Sequence, residues 1–358
     1  QGLSPWQLAR EGDRWFGRGA ADNKGQHTIN LAALKCVLEE RGRLGFNIKI
    51  LIETGEEIGS IGLRELCAAN KDRLSADVFI ASDGPRIAPA RPTVFMGSRG
   101  AFNFNMTVDL REGGHHSGNW GGLLANPGII LAHAIAAITS STGEIKVPQW
   151  RPDKIPSSVQ DVLGELTIDQ DENSPEIDLH WGEPGLTPPE QVFGWNSFEV
   201  LAFETGNPKN PANAIPPKAS AHCQVRFVVP TDPEQLLPAL RKFLDEHGLS
   251  SVVLSAEGKA ARATRLEPDH PWVKWVIASI ETTTGKKVAV IPNLGGTLPN
   301  DVFAEILGLP TIWVPHSYSG CSQHAADEHL LGSVSREALQ IMTGIWWDLG
   351  EMGLPVGL

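Results

Sequence analysis

Acidic side chains stand at three points where the chain is expected to turn sharply, and binding of a metal ion is the chemistry that they suit. One acid lies in a glycine-rich segment, and the others follow apolar segments; they are Asp22, Glu56, Glu57 and Asp83. The glycines around Asp22 let the backbone turn tightly and hold its carboxylate at a loop apex. Because adjacent carboxylates point in different directions, one of Glu56 and Glu57 could ligate a metal while the other takes a proton from water.

Each of these acids also has an ordinary structural interpretation. Asp22 could be the N-cap of the helix predicted from Thr28 to Leu38, and Glu56 and Glu57 could be solvated acids favoured by the dipole of the helix that follows them. Asp83 lies in a Ser-Asp-Gly-Pro sequence, which on its own is only a turn. Taken singly, the residues leave both interpretations open.

Two histidine-containing segments extend the set. His324 lies in a loop after an apolar segment, and neutral imidazole is a common zinc ligand, although a capping or surface histidine is the alternative. Cys321 is interpreted as a packed thiol rather than a zinc ligand. His115 and His116 lie in the glycine-rich segment 113–122, where an imidazole could approach a ligand and stabilise an oxyanion. A glycine-rich hairpin is the other interpretation of that segment.

The segments that precede the acids are predicted strands of one sheet. The stretches 46–54, 76–82 and 309–315 are apolar and β-rich, and turns or helical patterns follow them. Strands that alternate with helices predict an α/β sheet covered on both faces, and ligands collect outside the carboxyl ends of such strands. We therefore expect the acids and His324 to meet at one edge of the sheet. A carboxylate-rich site with one histidine suits a pair of divalent ions.

The middle of the chain has a different pattern. Residues 101–110 and 219–229 alternate in polarity, as strands do when one face is wet, and a helical pattern covers 126–139. The Pro-rich stretch 147–189 is predicted to be a surface excursion, and its acids are Asp169, Asp171, Glu172 and Glu176. These segments predict an inserted α+β domain.

The length of 358 residues exceeds what one core usually supports, so we expect two domains. The predicted inserted domain covers about 100–260, and the flanking segments 1–99 and 261–358 form one discontinuous catalytic domain. The first residues, Gln1 to Trp15, resemble the interior of a longer sequence, and we expect an N-terminal segment to precede them.

Composition and charge disfavour several classes of partner. The formal net charge of -12 would repel a phosphate backbone, so nucleic acid is not expected as a partner. No apolar run approaches the ~18 to 20 residues that span a bilayer, so no membrane partner is expected either. The four cysteines are far apart and form no CxxC pair, which favours a reducing compartment and a cytoplasmic location.

In combination, these segments resemble the M20 family of metallopeptidases, which includes carnosine-type dipeptidases, carboxypeptidase G, aminoacylases and acetylornithine or succinyl-diaminopimelate deacylases. The resemblance covers nearly the whole chain, and the motifs occur in the family's order. They are GRGAADNKG, ETGEEIGS, SDGP, HHSGNWGG, NAIPPKASAHCQVRFVVP, GGTLPND and the late His324. The resemblance implies a mixed-sheet α/β zinc-peptidase catalytic domain with an inserted α+β lid and dimerisation domain.

The resemblance also implies a site with two zinc ions per subunit, for which Mn²⁺ or Co²⁺ could substitute. Asp22 would bridge the two ions, Glu57 and His324 would ligate one of them, and Asp83 would ligate the other. Glu56 would be the general base, taking a proton from the attacking water and delivering it to the leaving amine.

Residues outside the metal site receive roles in the same way. His116 would stabilise the oxyanion by reaching from one subunit into the partner's site, which implies a homodimer formed through the inserted domain. Asn213 and Arg226 would contact the carbonyl and the carboxylate of the substrate, and a planar bidentate guanidinium suits a carboxylate. Gly296 and Thr297 would line the substrate end of the site.

The sequence departs from the family pattern at two points. The family has an upstream His-x-Asp whose histidine ligates the second zinc, and this sequence contains no His-x-Asp. We expect that motif to precede residue 1, and without it the second zinc site lacks a ligand. Asn23 stands where many relatives carry a second Asp, and we expect little consequence because Asp22 is the bridging position.

The sequence is compatible with three functions. The resemblance favours a hydrolase that cleaves a dipeptide or C-terminal amide bond with a zinc-activated water. The first alternative is an N-acyl amino acid deacylase of the acetylornithine or succinyl-diaminopimelate type. The second is a catalytically inactive relative that binds amino acid derivatives; the missing His-x-Asp supports it, and the intact pair Glu56 and Glu57 opposes it.

Overall fold

The computed structural model describes residues 4–168 and 175–355. Asp169, Asp171 and Glu172 of the predicted surface excursion lie outside the described residues, and Glu176 is exposed. Contacts between residues divide the chain into two compact units. The first consists of the described parts of Gln1–Ser98, Pro156–Ile177 and Thr264–Leu358, and the second of Arg99–Ile155 and Asp178–Ala263.

The strands and helices follow in chain order. The strands are β1 (Ala9–Glu11), β2 (Arg14–Phe16), β3 (Phe79–Ala81), β4 (Pro85–Arg86), β5 (Thr93–Phe95), β6 (Gly100–Asp109), β7 (His115–His116), β8 (Ser197–Thr205), β9 (Ala214–Ile215), β10 (Lys218–Phe227), β11 (Val253–Ala256), β12 (Ala289–Ile291), β13 (Thr311–Trp313), β14 (Ser317–Tyr318) and β15 (His329–Leu331). The α-helices are α1 (Lys24–Arg41), α2 (Leu63–Ala69), α3 (Lys71–Leu74), α4 (Ser117–Trp120), α5 (Pro127–Ile138), α6 (Ser157–Leu163), α7 (Pro188–Phe193), α8 (Pro233–Glu246), α9 (Pro271–Thr284) and α10 (Gly332–Met352). Within the described ranges, no helix combines the length and the apolar character that crossing a membrane requires.

A mixed four-stranded sheet, in the order β12-β5-β13-β3, forms the centre of the first unit. Helices α1, α9 and α10 pack with it around one apolar core, which includes Trp272, Val276, Ile312, Ile341 and Trp346. The strands are three residues long, so the helices supply much of the buried surface. The predicted mixed α/β class is confirmed.

Two small sheets bring three loops of the first unit together. Strand β15 pairs antiparallel with β2, and His329 at its start lies opposite Phe16 at the end of β2. The loop after β2 and the loop before β15 therefore leave this sheet at the same end. Strand β4 pairs in parallel with β14, so Ser317 lies opposite Pro85. Asp22, Asp83 and His324 lie in these loops.

The predicted strand over 46–54 is wrong, because residues 47–54 form no strand in the structure. Its alternating isoleucines Ile48, Ile50 and Ile52 are 39%, 56% and 66% exposed. A strand requires a neighbour that accepts and donates the ladder hydrogen bonds, and none of the described strands pairs with this segment. Alternation of apolar and other side chains is therefore not sufficient to make this segment a strand.

The described residues of the range 156–177 belong with the first unit, whereas the predicted inserted domain of about 100–260 includes them. Helix α6 packs on β12, and Lys287 Nζ lies 2.9 Å from a carboxylate oxygen of Glu165. Arg91 Nη1 also donates to the carbonyl of Glu165 at 3.3 Å. These long-range contacts determine the placement of α6 and Glu165, and the local sequence does not contain them.

The second unit is an antiparallel sheet, in the order β11-β6-β10-β8, with helices on one face. Strands β6 and β10 are ten residues long and alternate between buried and half-buried positions, which confirms the alternation in the sequence. The apolar face packs against α5 and α8, with Phe104, Met106 and Leu131 fully buried. The opposite face carries polar side chains such as Asn105 and Gln224.

Candidate metal centre

Asp22 lies in the loop between β2 and α1, and a glycine in the first turn of α1 lets the loop pass close to the helix. This glycine is Gly25, and a Cβ at this position would lie 2.0 Å from the carbonyl oxygen of Ala20. The next residue, Asn23, precedes α1, and its side-chain amide donates to the carbonyl of Ser82 at 2.8 Å. The Asp22 loop is thereby attached to the turn that carries Asp83.

Three side chains from distant parts of the sequence converge in the first unit. His324 Nε2 lies 2.8 Å from Asp22 Oδ2 and 3.1 Å from Glu57 Oε2. One ligand atom from each of the three residues lies within 4.8 Å of the others. Imidazole nitrogen and carboxylate oxygen are the donors that zinc and similar divalent ions take in proteins. This donor set fits a divalent cation.

The loop that carries His324 has an unusual backbone. His324, Ser322 and Asp327 have φ values of 58°, 58° and 63°, in the left-handed region that side chains other than glycine rarely adopt. The side chain of His324 is 68% exposed, so its position is set by the loop and by Asp22 and Glu57 rather than by apolar packing. Such backbone conformations persist where surrounding contacts determine them.

Glu56 and Asp83 complete a group of acids around these three ligands. Burial, together with the charges of Asp83, Glu57 and Asp22, raises the pKa of Glu56 to about 7. Burial likewise raises the pKa of Asp83 to about 6, with smaller contributions from Asp22 and Glu57. Carboxylates repel one another when they are close, and a cation in their midst relieves that repulsion. The electrostatics therefore agree with the donor set.

Glu56 and Glu57 are carried by a short 3₁₀ helix, Glu56–Ile58, rather than by the end of a strand. The amide of Gly59 closes this turn by donating to the carbonyl of Glu56 at 2.8 Å. The turn sends the two side chains to different surroundings, as the sequence predicts for adjacent carboxylates. Glu57 reaches His324, whereas Glu56 is half-buried among the other acids.

Two further residues of the first unit support the centre and were missed from the sequence. Glu328, four residues after His324, is buried and accepts hydrogen bonds from amides of the Asp22 loop. His316 is fully buried and lies 3.0 Å from the hydroxyl of Ser82, next to Asp83. Their signal in the sequence is weak, because each is one polar residue near an apolar strand. Cys321 is also fully buried, and burial raises the pKa of its thiol, which agrees with the packed-thiol interpretation.

The other predicted site residues lie in two places. In the second unit, His116 ends β7 opposite Ala214 of β9, and the Ser117 amide donates to the carbonyl of Asn213 at 2.9 Å. The structure therefore brings the backbones of His116 and Asn213 together, and both side chains are exposed. Gly296 and Thr297 lie in the first unit, in the loop that follows β12. The roles of these residues stay predictions.

Arg226 lies on the polar face of the second unit's sheet. Its Nε donates to the side-chain oxygen of Gln224 at 2.9 Å. Burial, together with the neighbouring charge of Arg226, lowers the pKa of Arg99 to about 10, and Glu199 partly offsets this effect. Two guanidinium groups near one another favour an anionic partner.

The fold and the donor set together define an α/β protein with a candidate metal centre of carboxylates and a histidine. The sequence pattern of peptidase family M20/M25/M40 matches residues 1–348. The chain belongs to this family, as its motifs indicate. Membership implies a divalent metal ion.

Individual relatives are similar at lower identity. A cysteinylglycine-S-conjugate dipeptidase of Corynebacterium striatum is 27% identical over 319 residues, which cover 82% of this chain and 65% of that protein. A Beta-Ala-His dipeptidase of Homo sapiens is 24% identical over 343 residues, which cover 91% of this chain and 66% of that protein. The chain thus spans about two thirds of the length of these two curated relatives.

Among solved structures, an M20 family metallo-carboxypeptidase from Sulfolobus solfataricus superimposes with a TM-score of 0.79 at 24% identity. The superposition covers 97% of this chain and 80% of that chain. This likeness supports the fold.

Proposed function

We propose that the protein is a metal-dependent peptidase that hydrolyses the amide bond of a dipeptide or a similarly small peptide. The observation that carries this proposal is the convergence of Asp22, Glu57 and His324, with Glu56 beside them. Family membership and the dipeptidase relatives support the same reaction class.

The candidate ligands would hold the cation, with two zinc ions per subunit as the proposed complement. When bound, a divalent cation supplies Lewis acidity, which polarises a carbonyl group and lowers the pKa of water. Asp22, Glu57 and His324 would hold one ion, and Asp22 and Asp83 would contribute to the second. Asp83 is separate from the three-residue group, which agrees with a role toward another ion.

Glu56 is suited to proton transfer. A general base works best when its pKa lies near the operating pH, and burial among other acids raises the pKa of Glu56 to about 7. We assign it the removal of a proton from the attacking water and the delivery of that proton to the leaving amine. Asn213 and Arg226 are proposed to bind the carbonyl and carboxylate of the substrate, His116 to stabilise the oxyanion, and Gly296 and Thr297 to line the substrate end.

A homodimer in the cytoplasm is part of the proposal. Strand β8 forms one edge of the second unit's sheet, and its side chains Val200, Leu201 and Phe203 are 39%, 53% and 43% exposed. An exposed apolar edge is a ready surface for pairing with another chain. Sedimentation analysis of wild type and Leu201→Lys tests this part, and a monomeric wild type would contradict it.

The test of the function combines zinc content with turnover. Wild type, Glu56→Gln and the control Glu65→Gln are loaded with zinc, freed of unbound metal and assayed on a dipeptide with a free carboxylate. We expect Glu56→Gln to keep its zinc and lose about 10² to 10⁴-fold in rate, because a positioned general base contributes that much. Glu65 is exposed on α2, so its variant should match wild type.

Two outcomes contradict the proposal. Undiminished turnover in Glu56→Gln would show that Glu56 is not the general base. If wild type prefers a substrate with an acylated amine to one with a free amine, the protein is a deacylase rather than a peptidase.

A further inference from the structure

Glu328 is a buried carboxylate that the proposed chemistry does not use. Its side chain is 2% exposed, and it lies at the end of the loop that carries His324. Burial of a charged group is costly unless hydrogen bonds and opposite charge compensate. The partners of Glu328 therefore indicate what its charge is for.

Among the described residues, the hydrogen bonds to this carboxylate come from the segment 18–22. Its Oε2 accepts from the amide of Gly19 at 2.8 Å and from Arg18 Nη1 at 2.9 Å. Its Oε1 accepts from the amides of Ala21 and Asp22, each at 3.0 Å. One side chain thus holds the backbone of the loop immediately before and at Asp22.

These hydrogen bonds set the orientation of Asp22. Two consecutive amides that donate to the same oxygen fix the peptide plane between them, and hence the direction in which the Asp22 side chain leaves the backbone. That side chain places Oδ2 at 2.8 Å from His324 Nε2. Because Glu328 and His324 belong to the same loop, this loop supplies one candidate ligand and orients another.

We propose that Glu328 is a positioning residue of the metal centre, holding the Asp22 loop in the conformation that presents Asp22 to the cation. The proposal rests on the proposed function, since it requires Asp22, Glu57 and His324 to bind a divalent ion. Glu328 acts through the backbone of Asp22, so its effect is to preorganise a ligand. Without it, metal binding has to order the loop at a cost in conformational entropy.

The simpler interpretation is that Glu328 only stabilises the fold. In that case its loss lowers the stability of the protein without a separate effect on the metal. Zinc affinity measured on folded protein distinguishes the two interpretations.

The first experiment is a competitive titration with Zn²⁺ and a chromophoric chelator on wild type and Glu328→Gln. Each carboxylate oxygen accepts two hydrogen bonds, so the amide nitrogen of glutamine faces donors in either orientation. We expect the zinc dissociation constant to rise about 10 to 100-fold, as for other residues that orient metal ligands. Amide hydrogen exchange of the metal-free protein should also accelerate at Gly19, Ala21 and Asp22.

Glu190→Gln is the matched control. Glu190 is a buried carboxylate of the second unit that accepts from the amide and the hydroxyl of Thr187, both at 2.8 Å. The same substitution should reduce thermal stability there and leave the zinc dissociation constant unchanged.

Arg18→Met keeps the proposal testable if Glu328→Gln does not fold. The Arg18 side chain is 44% exposed, and its removal takes away the positive charge that holds the Glu328 carboxylate in place beside the three amides. We expect a stability close to wild type and a smaller but measurable weakening of zinc binding.

The outcomes separate the two proposals. If wild type binds no zinc, the proposed function fails. If wild type binds zinc and folded Glu328→Gln binds it equally well, the positioning role is overturned. Where Glu328→Gln is unfolded, an unchanged dissociation constant in Arg18→Met overturns it instead.

Discussion

The two units differ in how their polar and apolar side chains are separated. In the second unit, alternation along the ten-residue strands β6 and β10 places apolar side chains on one face and polar ones on the other. In the first unit, the central strands are three residues long, and loops between strands contain buried polar groups such as Glu328 and His316. The comparison suggests that the second unit depends on packing of a sheet face, and the metal centre on hydrogen bonds between loops.

The largest expected effect tests the sheet packing of the second unit. Phe104 is fully buried on β6, where its ring meets Trp150 and Phe198. Phe104→Ala should lower the free energy of unfolding by about 3 to 5 kcal/mol, because it removes a large buried ring and leaves a cavity. Chemical denaturation measures the loss. An unchanged unfolding free energy would contradict the assigned core, and zinc affinity of the folded protein should be retained.

Substitution at the metal centre should give the opposite pattern. His324→Ala removes a candidate ligand whose side chain is 68% exposed. We expect zinc affinity to fall by more than the ~10 to 100-fold typical of residues that only orient ligands, with little change in metal-free stability. Equal zinc affinity of this variant and wild type would show that His324 is not a ligand. His180→Ala, an exposed histidine of the second unit, is the control.

A pH dependence of stability should arise from the buried loops of the first unit. Burial lowers the pKa of His316 from 6.5 to about 3, so the folded protein resists its protonation. Its stabilising contribution is complete above the unfolded pKa and decreases as pH falls from about 6.5 towards 3, by about 1.4 kcal/mol per pH unit while only the unfolded state takes up the proton. Denaturation of wild type and His316→Gln at several pH values measures the difference. Parallel pH profiles would contradict the assigned buried neutral imidazole.

The smallest effect concerns a helix terminus in the second unit. Asn126 caps α5, and its side-chain oxygen accepts from the amides of Gly128 and Ile129 at 2.9 and 3.3 Å. Asn126→Ala should lower the free energy of unfolding by about 1 kcal/mol, because the two amides lose their partner. Asn126→Asp keeps an acceptor and should be close to wild type. If Asn126→Ala lost more unfolding free energy than Phe104→Ala, this would contradict the proposal that the second unit depends mainly on core packing.

Local sequence pattern predicted the two long strands and one helix of the second unit. The alternating segments 101–110 and 219–229 correspond to β6 and β10, and the helical pattern at 126–139 corresponds to α5. Each of these elements has one buried and one polar side, so its periodicity is visible in the sequence.

The central sheet of the first unit was harder to predict. The segments 76–82 and 309–315 contain the shorter strands β3 and β13, whereas 46–54 forms no strand. An apolar run shows that a segment tends toward β-structure, but the neighbour that would pair with it lies elsewhere in the chain.

By itself, the sequence marked Asp22, Glu57 and His324 as candidate ligands, through their positions at predicted turns and through the order of the motifs that resemble the M20 family. Only the tertiary structure decided that these three side chains meet, and that Glu328 accepts hydrogen bonds from the loop of one of them. The physical reason is the distance along the sequence over which each kind of interaction acts. Turn chemistry and periodicity act over a few neighbouring residues, whereas the hydrogen bonds that build this centre join residues 18–22 to residue 328, and such pairings form only when the whole unit folds.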